Sequence, residues 1–555
     1  MRKLLFFLFA LSITSGVKAQ VVDKYWIVFK DKNNSPYSIS TPSAFLSQRA
    51  IYRRTKYNIP VKLNDLPPNP AYIDSVIAKG ATLFNRCGWL NAISIGIAVS
   101  DTGIVMPKVR ALPFVQTNRM VTMVKPKKGK GKKPFTLHPS KKPMAIDSAN
   151  YGEAYNQAHM IKVDCLNEMG YRGKGKQIAI IDTRFGTADK LPAFDSVRTR
   201  GQILGSWDFV WEIPKVYDDS NSDTHGEMVF SCIAGNLPGQ MVGDAVDADF
   251  YLLRSEDLYS ESMFEDDNWA SAAEYADSAG ADIITSSLGY NTFDDANNNY
   301  TYSDMNGRTT VASIAATIAA EKGMVVCIAA GNDGGDSWQY IDSPADADSV
   351  LTVGAVDDSG SYASFSSTGP TADGRIKPDV VAQGDPAAVA WPTGGVNTDY
   401  GTSFATPITA GAVASLWQAD TNASNMQIIA AIKKSASQYA TPDNKLGYGI
   451  PNYCNALTIL TGITENKSVS ALVKTYPDPF IDNITLSFYS TYTQNLTISL
   501  YNMLGQVVYQ KVEKSAVGGN TKITIGGLEN LSKGIYLVAL TDSKGITYTQ
   551  KEVKQ

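Results

Sequence analysis

The sequence predicts an α/β protein built on a doubly wound, mainly parallel sheet, with a small α+β domain before it and an antiparallel β-sandwich after it. The middle of the chain alternates buried apolar runs with helix-like segments, as such a sheet requires. The C-terminal part, about 90 residues long, has short alternating strands separated by turn residues, which is typical of a sandwich. With 555 residues, the chain is also too long for one domain.

Residues 1–19 are typical of a secretory signal peptide. Arg2 and Lys3 precede an apolar run from Leu4 to Ile13, and the small residue Ala19 closes the segment. The run is too short to span a membrane, and no later apolar run reaches about 18 residues. We therefore expect an exported chain with no transmembrane segment after the signal peptide.

Residues 20–124 predict the small α+β domain. The strand-like start YWIVFKDK is followed by a helix-like stretch at Ser43–Arg54, a second helix after Pro70 and a strand-like GWLNAISIGIAV. Residues 125–145 form a Lys-rich linker, which should be solvated and self-repelling. A nucleic-acid-binding arm is the alternative, but the linker lacks interleaved aromatic residues and precedes an acidic domain, so we expect no nucleic acid partner.

Charge is distributed unevenly along the chain. Residues 1–142 contain 24 Lys and Arg against 5 Asp and Glu, whereas residues 143–555 contain 26 against 49. We hypothesise that the basic part is steered electrostatically onto the acidic part, so that their association should weaken with salt.

Residues 146–462 carry the predicted parallel sheet. Strands are expected at Gln177–Ile181, Asp249–Leu253, Ile283–Ser286, Met324–Ala329 and Val350–Val353, and helices at His225–Ala234, Asn268–Ser278, Thr310–Lys322, Ser403–Gln418 and Asn425–Ser435. Three acidic loops are expected at Tyr217–Asp223, Glu261–Asp267 and Asp294–Asp304. Oxygen-rich loops can hold Ca²⁺, but none has EF-hand spacing, so a solvated surface is favoured and calcium stays an alternative.

The five cysteines do not form a disulfide framework. Cys232 and Cys327 fall in predicted core segments, where a cysteine acts as a small apolar side chain. A bridge between Cys165 and Cys454 is the one pairing left open. No metal-binding spacing is present.

The most informative motif is GTSFATP, residues 401–407, followed by the helical AGAVASLW. It places Ser403 in the first turn of a helix, where free N–H groups and the helix dipole stabilise negative charge. Pro407 cannot donate to the carbonyl of Ser403. A helix-capping serine is the plain alternative, but the seven-residue motif favours an exposed nucleophile.

A serine nucleophile needs a base and an orienting acid. Of the three histidines, His138 lies in the linker and His159 in a short amphipathic stretch, so His225 at the start of a helix is the candidate base. Asp182 ends a buried strand, where α/β sheets place their ligands, although it would also serve as a helix cap. Asn332, in AAGND, would donate to an oxyanion or act as an ordinary turn residue.

In this order, Asp182, His225, Asn332 and Ser403 resemble the motifs of the subtilisin-like serine proteases, the subtilase or S8 family. The resemblance covers roughly residues 146–462 through IAIIDT, THGEMVFS, SSLG, AAGND and GTSFATP. It implies a secreted serine endopeptidase with these four residues as a catalytic triad and an oxyanion donor. The resemblance also implies that this endopeptidase needs no organic cofactor, although many subtilases bind Ca²⁺.

The resemblance also implies the substrate contacts. Ser286, Leu288 and Gly289 would pair with substrate backbone, and Ala329, Ala330 and Gly331 would line the opposite wall of the specificity pocket. With no charged residue evident at the base of the pocket, we expect a broad preference that leans towards apolar side chains.

The flanking domains resemble known modules as well. Residues 20–124 are similar to the inhibitory propeptides that precede subtilases, which implies a self-inhibited zymogen. Residues 463–555, with YPDPF and a terminal KEVKQ, resemble the C-terminal sorting domain of the type IX secretion system. We therefore expect export through the periplasm to the outer-membrane surface or the medium, with the secretion machinery as a partner. A carbohydrate- or protein-binding β module is the alternative.

The motifs depart from the family pattern at three positions. Arg184 stands where a small residue is usual, and Glu227 and Met228 replace a threonine and a histidine. Arg184 would be able to pair with Asp182 and draw it away from His225. This departure keeps one competing function open, a catalytically inactive surface binding protein with the subtilase fold.

Overall fold

The computed structural model describes residues 22–122, 151–217, 224–461, 474–490, 495–502, 505–514, 519–541 and 547–555. The chain divides into two compact units, Met1–Gly462 and Ile463–Gln555, each with its own core. The predicted signal peptide, the Lys-rich linker and residues 218–223 of the first acidic loop lie outside the described residues.

The N-terminal domain, residues 22–122, is a four-stranded antiparallel sheet in the order β2-β3-β1-β4, carrying three helices. Its strands are β1 Val22–Phe29, β2 Thr82–Cys87, β3 Ala92–Ala98 and β4 Val115–Thr122, and its helices are α1 Gln48–Lys56, α2 Pro70–Ile77 and α3 Thr102–Arg110. A cluster of buried apolar side chains from the sheet, α2 and α3 fills its core. The predicted α+β character is confirmed.

A seven-stranded sheet forms the centre of the first unit, in the order β13-β12-β11-β10-β5-β9-β6, with every neighbouring pair parallel. Its strands are β5 Gln177–Asp182, β6 Ile203–Asp208, β9 Asp249–Arg254, β10 Ile283–Ser286, β11 Val325–Ala329, β12 Leu351–Asp357 and β13 Val380–Asp385. Two short antiparallel pairs accompany it: β7 Asn236–Leu237 with β8 Met241–Val242, and β14 Ala387–Ala390 with β15 Val396–Asp399.

Helices cover both faces of this sheet: α4 Tyr155–Met160, α5 Val163–Glu168, α6 Asp195–Thr199, α7 His225–Ala234, α8 Met263–Ala279, α9 Val311–Glu321, α10 Thr402–Ala419, α11 Asn425–Ser435 and α12 Tyr453–Thr461. Alternate residues of the strands enter two separate cores. In β5, Ile178 and Ile180 pack towards α7 and α10, whereas Ala179 and Ile181 pack towards α8 and α9. This arrangement is the predicted doubly wound fold.

The sequence located the inner strands and missed the two at the edges. β6 and β13 contain Gly205, Ser206 and Gln383, so neither shows the continuous apolar run that marks a strand buried on both faces.

The second acidic loop was predicted wrongly. Residues from Met263 onward form the first turn of α8, where Ser262 and Glu265 make a reciprocal capping box. Acidic residues stabilise a helix N-terminus through its unsatisfied N–H groups, so this acidic run begins a helix.

Part of the N-terminal domain shares a core with the central sheet. Trp26, Trp89 and Val121 belong to the same buried apolar cluster as Phe264 and Trp269 of α8. The N-terminal domain therefore packs on the helical layer beside the sheet.

A disulfide joins Cys165 and Cys454, with their Cα atoms 6.0 Å apart, so the pairing left open by the sequence is present. Cys232 and Cys327 are free and buried, as predicted, and so is Cys87.

The second unit consists of two antiparallel sheets, ordered β16-β17-β20 and β19-β18-β21-β22, which share one apolar core. Its strands are β16 Lys474–Tyr476, β17 Asn483–Ser490, β18 Asn495–Tyr501, β19 Val507–Lys514, β20 Gly519–Gly526, β21 Gly534–Thr541 and β22 Thr547–Lys554. The predicted β-sandwich is confirmed. Within the described part of the chain, no helix has the length and apolar character needed to cross a membrane.

Candidate active site

Three neighbouring parallel strands, β5, β10 and β11, end at the same edge of the sheet. Asp182 is the last residue of β5, Ser287 directly follows β10, and Asn332 lies three positions after β11. The carboxyl edge of a parallel sheet is where α/β proteins place ligands. The chain thus gathers the predicted Asp182 and Asn332, together with Ser287, at one edge of the sheet.

Asp182 and His225 form a short hydrogen bond. His225 Nδ1 lies 2.6 Å from Asp182 Oδ1, which also accepts from the backbone N–H of Thr183 at 2.8 Å. Asp182 is fully buried and the His225 side chain is 8% exposed. A buried carboxylate on Nδ1 fixes the tautomer and the orientation of the imidazole.

Gly226 allows this approach of helix α7 to strand β5. A Cβ at this position would lie 2.9 Å from the carbonyl oxygen of Arg184 and 3.2 Å from Asp182 Cβ. A larger residue would push His225 away from the carboxylate. The glycine that follows His225 in the sequence is therefore needed to avoid a steric clash.

Arg184 does not hold the Asp182 carboxylate. The second oxygen, Oδ2, is buried without a hydrogen-bond partner in the described part of the chain, and Asp182 forms no ion pair there other than that with His225. The concern that Arg184 would draw Asp182 away has no support in these contacts.

Ser403 lies in the first turn of helix α10, which begins directly after Gly401. Gly401 adopts φ 151° and ψ 153°, a region that essentially only glycine occupies. Ser403 is 5% exposed, and the ring of the following residue, Phe404, has its centroid 6.0 Å from that of His225. The helix start therefore lies beside the imidazole.

The carbonyl of Ser403 finds a substitute for its missing helical partner. Pro407 has no N–H to give, and the hydroxyl of Ser287 donates to this carbonyl at 2.7 Å. The Ser403 hydroxyl in turn lies 3.5 Å from the carbonyl oxygen of Ser287. Sequence reasoning noticed the orphaned carbonyl but missed Ser287; its signal was a hydroxyl next to a strand end in the SSLG motif.

Asn332 is exposed and oriented by Thr402. Its Oδ1 accepts from both the backbone N–H and the hydroxyl of Thr402, each at 2.9 Å. Because Thr402 holds Oδ1, the side-chain N–H₂ of Asn332 is directed away from Thr402. Asn332 Nδ2 and Ser403 Cβ both lie 3.6 Å from the point that a Cβ on Gly401 would occupy, so the amide donor and the serine flank the same glycine.

The predicted substrate-contacting residues differ in their surroundings. Ser286 is fully buried and its hydroxyl accepts from the indole N–H of Trp269 at 2.8 Å, so its side chain faces the core. Leu288 is half-buried and Gly289 is exposed. On the other segment, Ala329 and Ala330 are buried and Gly331 is half-buried.

Glu227 lies in the first turn of helix α7. It is fully buried, its Oε2 accepts from the backbone N–H of Thr187, and burial raises its pKa to about 8. The glutamate that departs from the family pattern is thus a buried, hydrogen-bonded acid rather than a solvated one.

One group of carboxylates is a candidate calcium site. Oxygens of Glu256, Glu261 and Glu265 lie within 4.8 Å of one another. However, Glu256 accepts from the hydroxyl of Tyr290, and Glu265 uses both oxygens for the backbone N–H groups of Asp257 and Ser262. Three carboxylates, whose oxygens also accept these hydrogen bonds, do not supply the six to eight oxygen ligands that Ca²⁺ takes, so we assign no ion to the cluster.

Family models match three regions of the chain. The subtilase family model matches residues 94–449. The chain belongs to the subtilase family. A model described as the peptidase S8 propeptide domain of Bacteroidota matches residues 24–134, and one described as a secretion system C-terminal sorting domain matches residues 474–555. The sorting domain indicates that this subtilase is exported to the cell surface or the medium, as the sequence predicted.

Several curated proteins are similar to the central part of the chain. Membrane-bound transcription factor site-1 protease of Mus musculus is 29% identical over 263 residues, covering 46% of this chain and 22% of that protein. Serine protease AprX of Bacillus subtilis is 28% identical over 312 residues, covering 51% of this chain and 66% of AprX. Subtilisin E of Bacillus subtilis is 30% identical over 280 residues, covering 50% of this chain and 64% of subtilisin E. The chain therefore spans about a fifth of the first relative and less than two thirds of subtilisin E.

Proposed function

We propose that this subtilase is a secreted serine endopeptidase, made as a self-inhibited zymogen. The observation that carries the proposal is the 2.6 Å bond between His225 Nδ1 and the buried Asp182, formed beside the helix start that bears Ser403. This constellation is suited to acyl transfer.

Ser403 would attack the scissile carbonyl while His225 takes its proton and later gives it to the leaving amine. Asp182 would orient the imidazole and stabilise its charged form without being protonated. The side-chain N–H₂ of Asn332 and the backbone N–H of Ser403 would stabilise the oxyanion of the tetrahedral intermediate.

The peptide would bind between two segments that follow β10 and β11. Ser286, Leu288 and Gly289 would supply one side, chiefly through their backbone, and Ala329, Ala330 and Gly331 the other. This assignment is supported by the exposure of Gly289 and the partial exposure of Gly331 next to the strand ends. No organic cofactor takes part.

The N-terminal domain would be the inhibitor, and the type IX secretion machinery would recognise the C-terminal unit. The match of residues 24–134 to a propeptide model supports the first role, and the match of residues 474–555 to a sorting model supports the second. The domains would be a signal peptide 1–19, a propeptide 20–124, a linker 125–145, a catalytic domain 146–462 and a sorting domain 463–555.

Labelling with a fluorophosphonate tests the proposal after the N-terminal domain has been removed. We expect modification of Ser403 in the wild type and its loss in His225→Ala, because the hydroxyl is then no longer activated. Ser403→Ala is the matched control for the labelled position. A folded wild type that takes up no label would instead support the inactive binding protein.

A further inference from the structure

An unexpected carboxylate lies behind the proposed substrate pocket. A Cβ placed on Gly289 would lie 2.9 Å from Asp342 Oδ2, and one on Gly331 would come closer still to the same oxygen. These glycines belong to the two opposite segments between which the peptide would bind. The Asp342 carboxylate therefore lies where the two walls of the pocket meet, in space that side chains on the walls would fill.

The loop around Asp342 fixes this position. The backbone N–H of Asp342 donates to the carbonyl of Ala330 at 3.2 Å. The side-chain amide of Asn291 donates to Asp342 Oδ1 at 2.7 Å and to Asp333 Oδ2 at 3.1 Å, so it holds two carboxylates side by side.

These two carboxylates have no cationic partner among the described residues. Neither forms an ion pair with Lys, Arg or His there, although Asp342 is only 5% exposed. Burial and the neighbouring Asp333 raise the pKa of Asp342 well above its usual value, and burial likewise raises the pKa of Asp333. A buried carboxylate such as Asp342, next to the half-buried Asp333, is costly to keep charged unless a proton or a cation joins the pair.

We propose that Asp342, assisted by Asp333, makes the pocket select a lysine or arginine side chain at the substrate residue before the scissile bond. The inference rests on the proposed peptidase function and replaces the apolar-leaning preference that the sequence alone suggested. A long basic side chain can lay its methylene groups between the glycine-lined walls and place its charge on the carboxylates at the end.

The chain itself contains a lysine-rich segment that such a pocket would bind. The linker, residues 125–145, carries eight lysines and no glutamate, and it joins β4 of the N-terminal domain to the central domain. A pocket for basic side chains would direct self-processing to this linker. The mature N-terminus should then follow a lysine.

Peptide substrates that differ only at the residue before the cut test the proposal on the matured enzyme. We expect kcat/KM for Lys and Arg substrates to exceed that for the Met and Leu substrates by at least about 10-fold. Asp342→Asn should lower kcat/KM for the Lys substrate by about 10- to 100-fold, the range expected for a hydrogen bond to a charged group, and change the Met substrate by less than about 3-fold. Asp336→Asn, an exposed aspartate of the same loop, should leave both unchanged.

Other outcomes separate the possibilities. A wild type that prefers Leu, an equal loss on all substrates in Asp342→Asn, or a mature N-terminus after an apolar residue would overturn the inference while leaving the peptidase function intact. Hydrolysis of no peptide, together with no labelling of Ser403, would instead overturn the proposed function itself. If Asp342→Asn does not fold, the wild-type preference and the Asp333→Asn variant, which should also lose Lys selectivity, decide the question.

Discussion

Replacing Asp277 by asparagine should weaken the hold of the N-terminal domain on the catalytic domain. Asp277 lies on α8 and is 1% exposed beneath helix α1 of the N-terminal domain. Arg54 binds it through two hydrogen bonds, of 3.0 and 2.7 Å, and Arg53 forms a further ion pair with the same carboxylate. Both guanidinium groups are at least 97% buried, so the substitution leaves two charges without their main partner.

The size of the effect follows from these contacts. Breaking one side of a buried ion pair costs about 3–5 kcal/mol. Arg54 keeps a second partner, Asp65 at 2.7 Å, so we take the lower end of this range for the loss of binding free energy. About 3 kcal/mol corresponds to an inhibition constant raised by about 150-fold.

The assay is inhibition of the mature enzyme by added N-terminal domain, residues 22–122. The mature Asp277→Asn variant should cleave substrate at the wild-type rate, because position 277 faces solvent once the N-terminal domain is gone. It should, however, resist inhibition by the added N-terminal domain. Asp348→Asn is a control, since this aspartate is exposed and pairs with no residue of the N-terminal domain. An inhibition constant within about 3-fold of the wild type would refute the reasoning, as would additive losses when Asp277→Asn is combined with Arg53→Gln.

Four further outcomes are expected. Asn332→Ala should lower kcat by about 100- to 1,000-fold with little change in KM, measured on a peptide substrate, because the proposed oxyanion donor is lost; an equal fall in affinity would contradict this role. Glu227→Gln should flatten the dependence of thermal stability on pH between about 5 and 8. The raised pKa of about 8 means that the glutamate stabilises the fold at acid pH and loses that contribution as pH rises, so the variant should gain melting temperature at pH 8.5, and no gain would count against a buried acid. Ser287→Ala should destabilise the fold by about 1–3 kcal/mol in a denaturant titration and slow turnover, since the carbonyl of Ser403 is left buried without a donor; an unchanged midpoint would show that water replaces the hydroxyl. The association rate of the N-terminal domain should fall between low and high ionic strength, because the two partners carry opposite charge; a constant rate would exclude steering.

The sequence predicted most of the fold because its signals are local. Strands β5 and β11 contain continuous apolar runs, and helices α7 and α11 begin and end where predicted. The motifs around Asp182, His225 and Ser403 lie at strand or helix ends, where side chains leave the core. The parallel sheet then brings the ends of β5, β10 and β11 to one edge.

Features that depend on distant segments were not predictable. The approach of Asp342 to Gly289 and Gly331 depends on the path of a loop after β11, and no local pattern reports it. Ser287 likewise gains its role only because Ser403 arrives from another part of the chain. The sequence named Cys165 and Cys454 as the one conceivable pair, but only the packing of α5 against α12 brings them together.

The burial of Arg53 and Arg54 sets an order of events for activation. While α1 is docked, both residues are shielded by the ion pairs with α8, so an enzyme that cuts after basic residues cannot reach the peptide bonds next to them. If the enzyme cuts after basic residues, as proposed, the same two arginines would become cleavage points once the domain dissociates and α1 frays. The residues that anchor the inhibitor would then ensure its destruction, so that each molecule, once released, stays active.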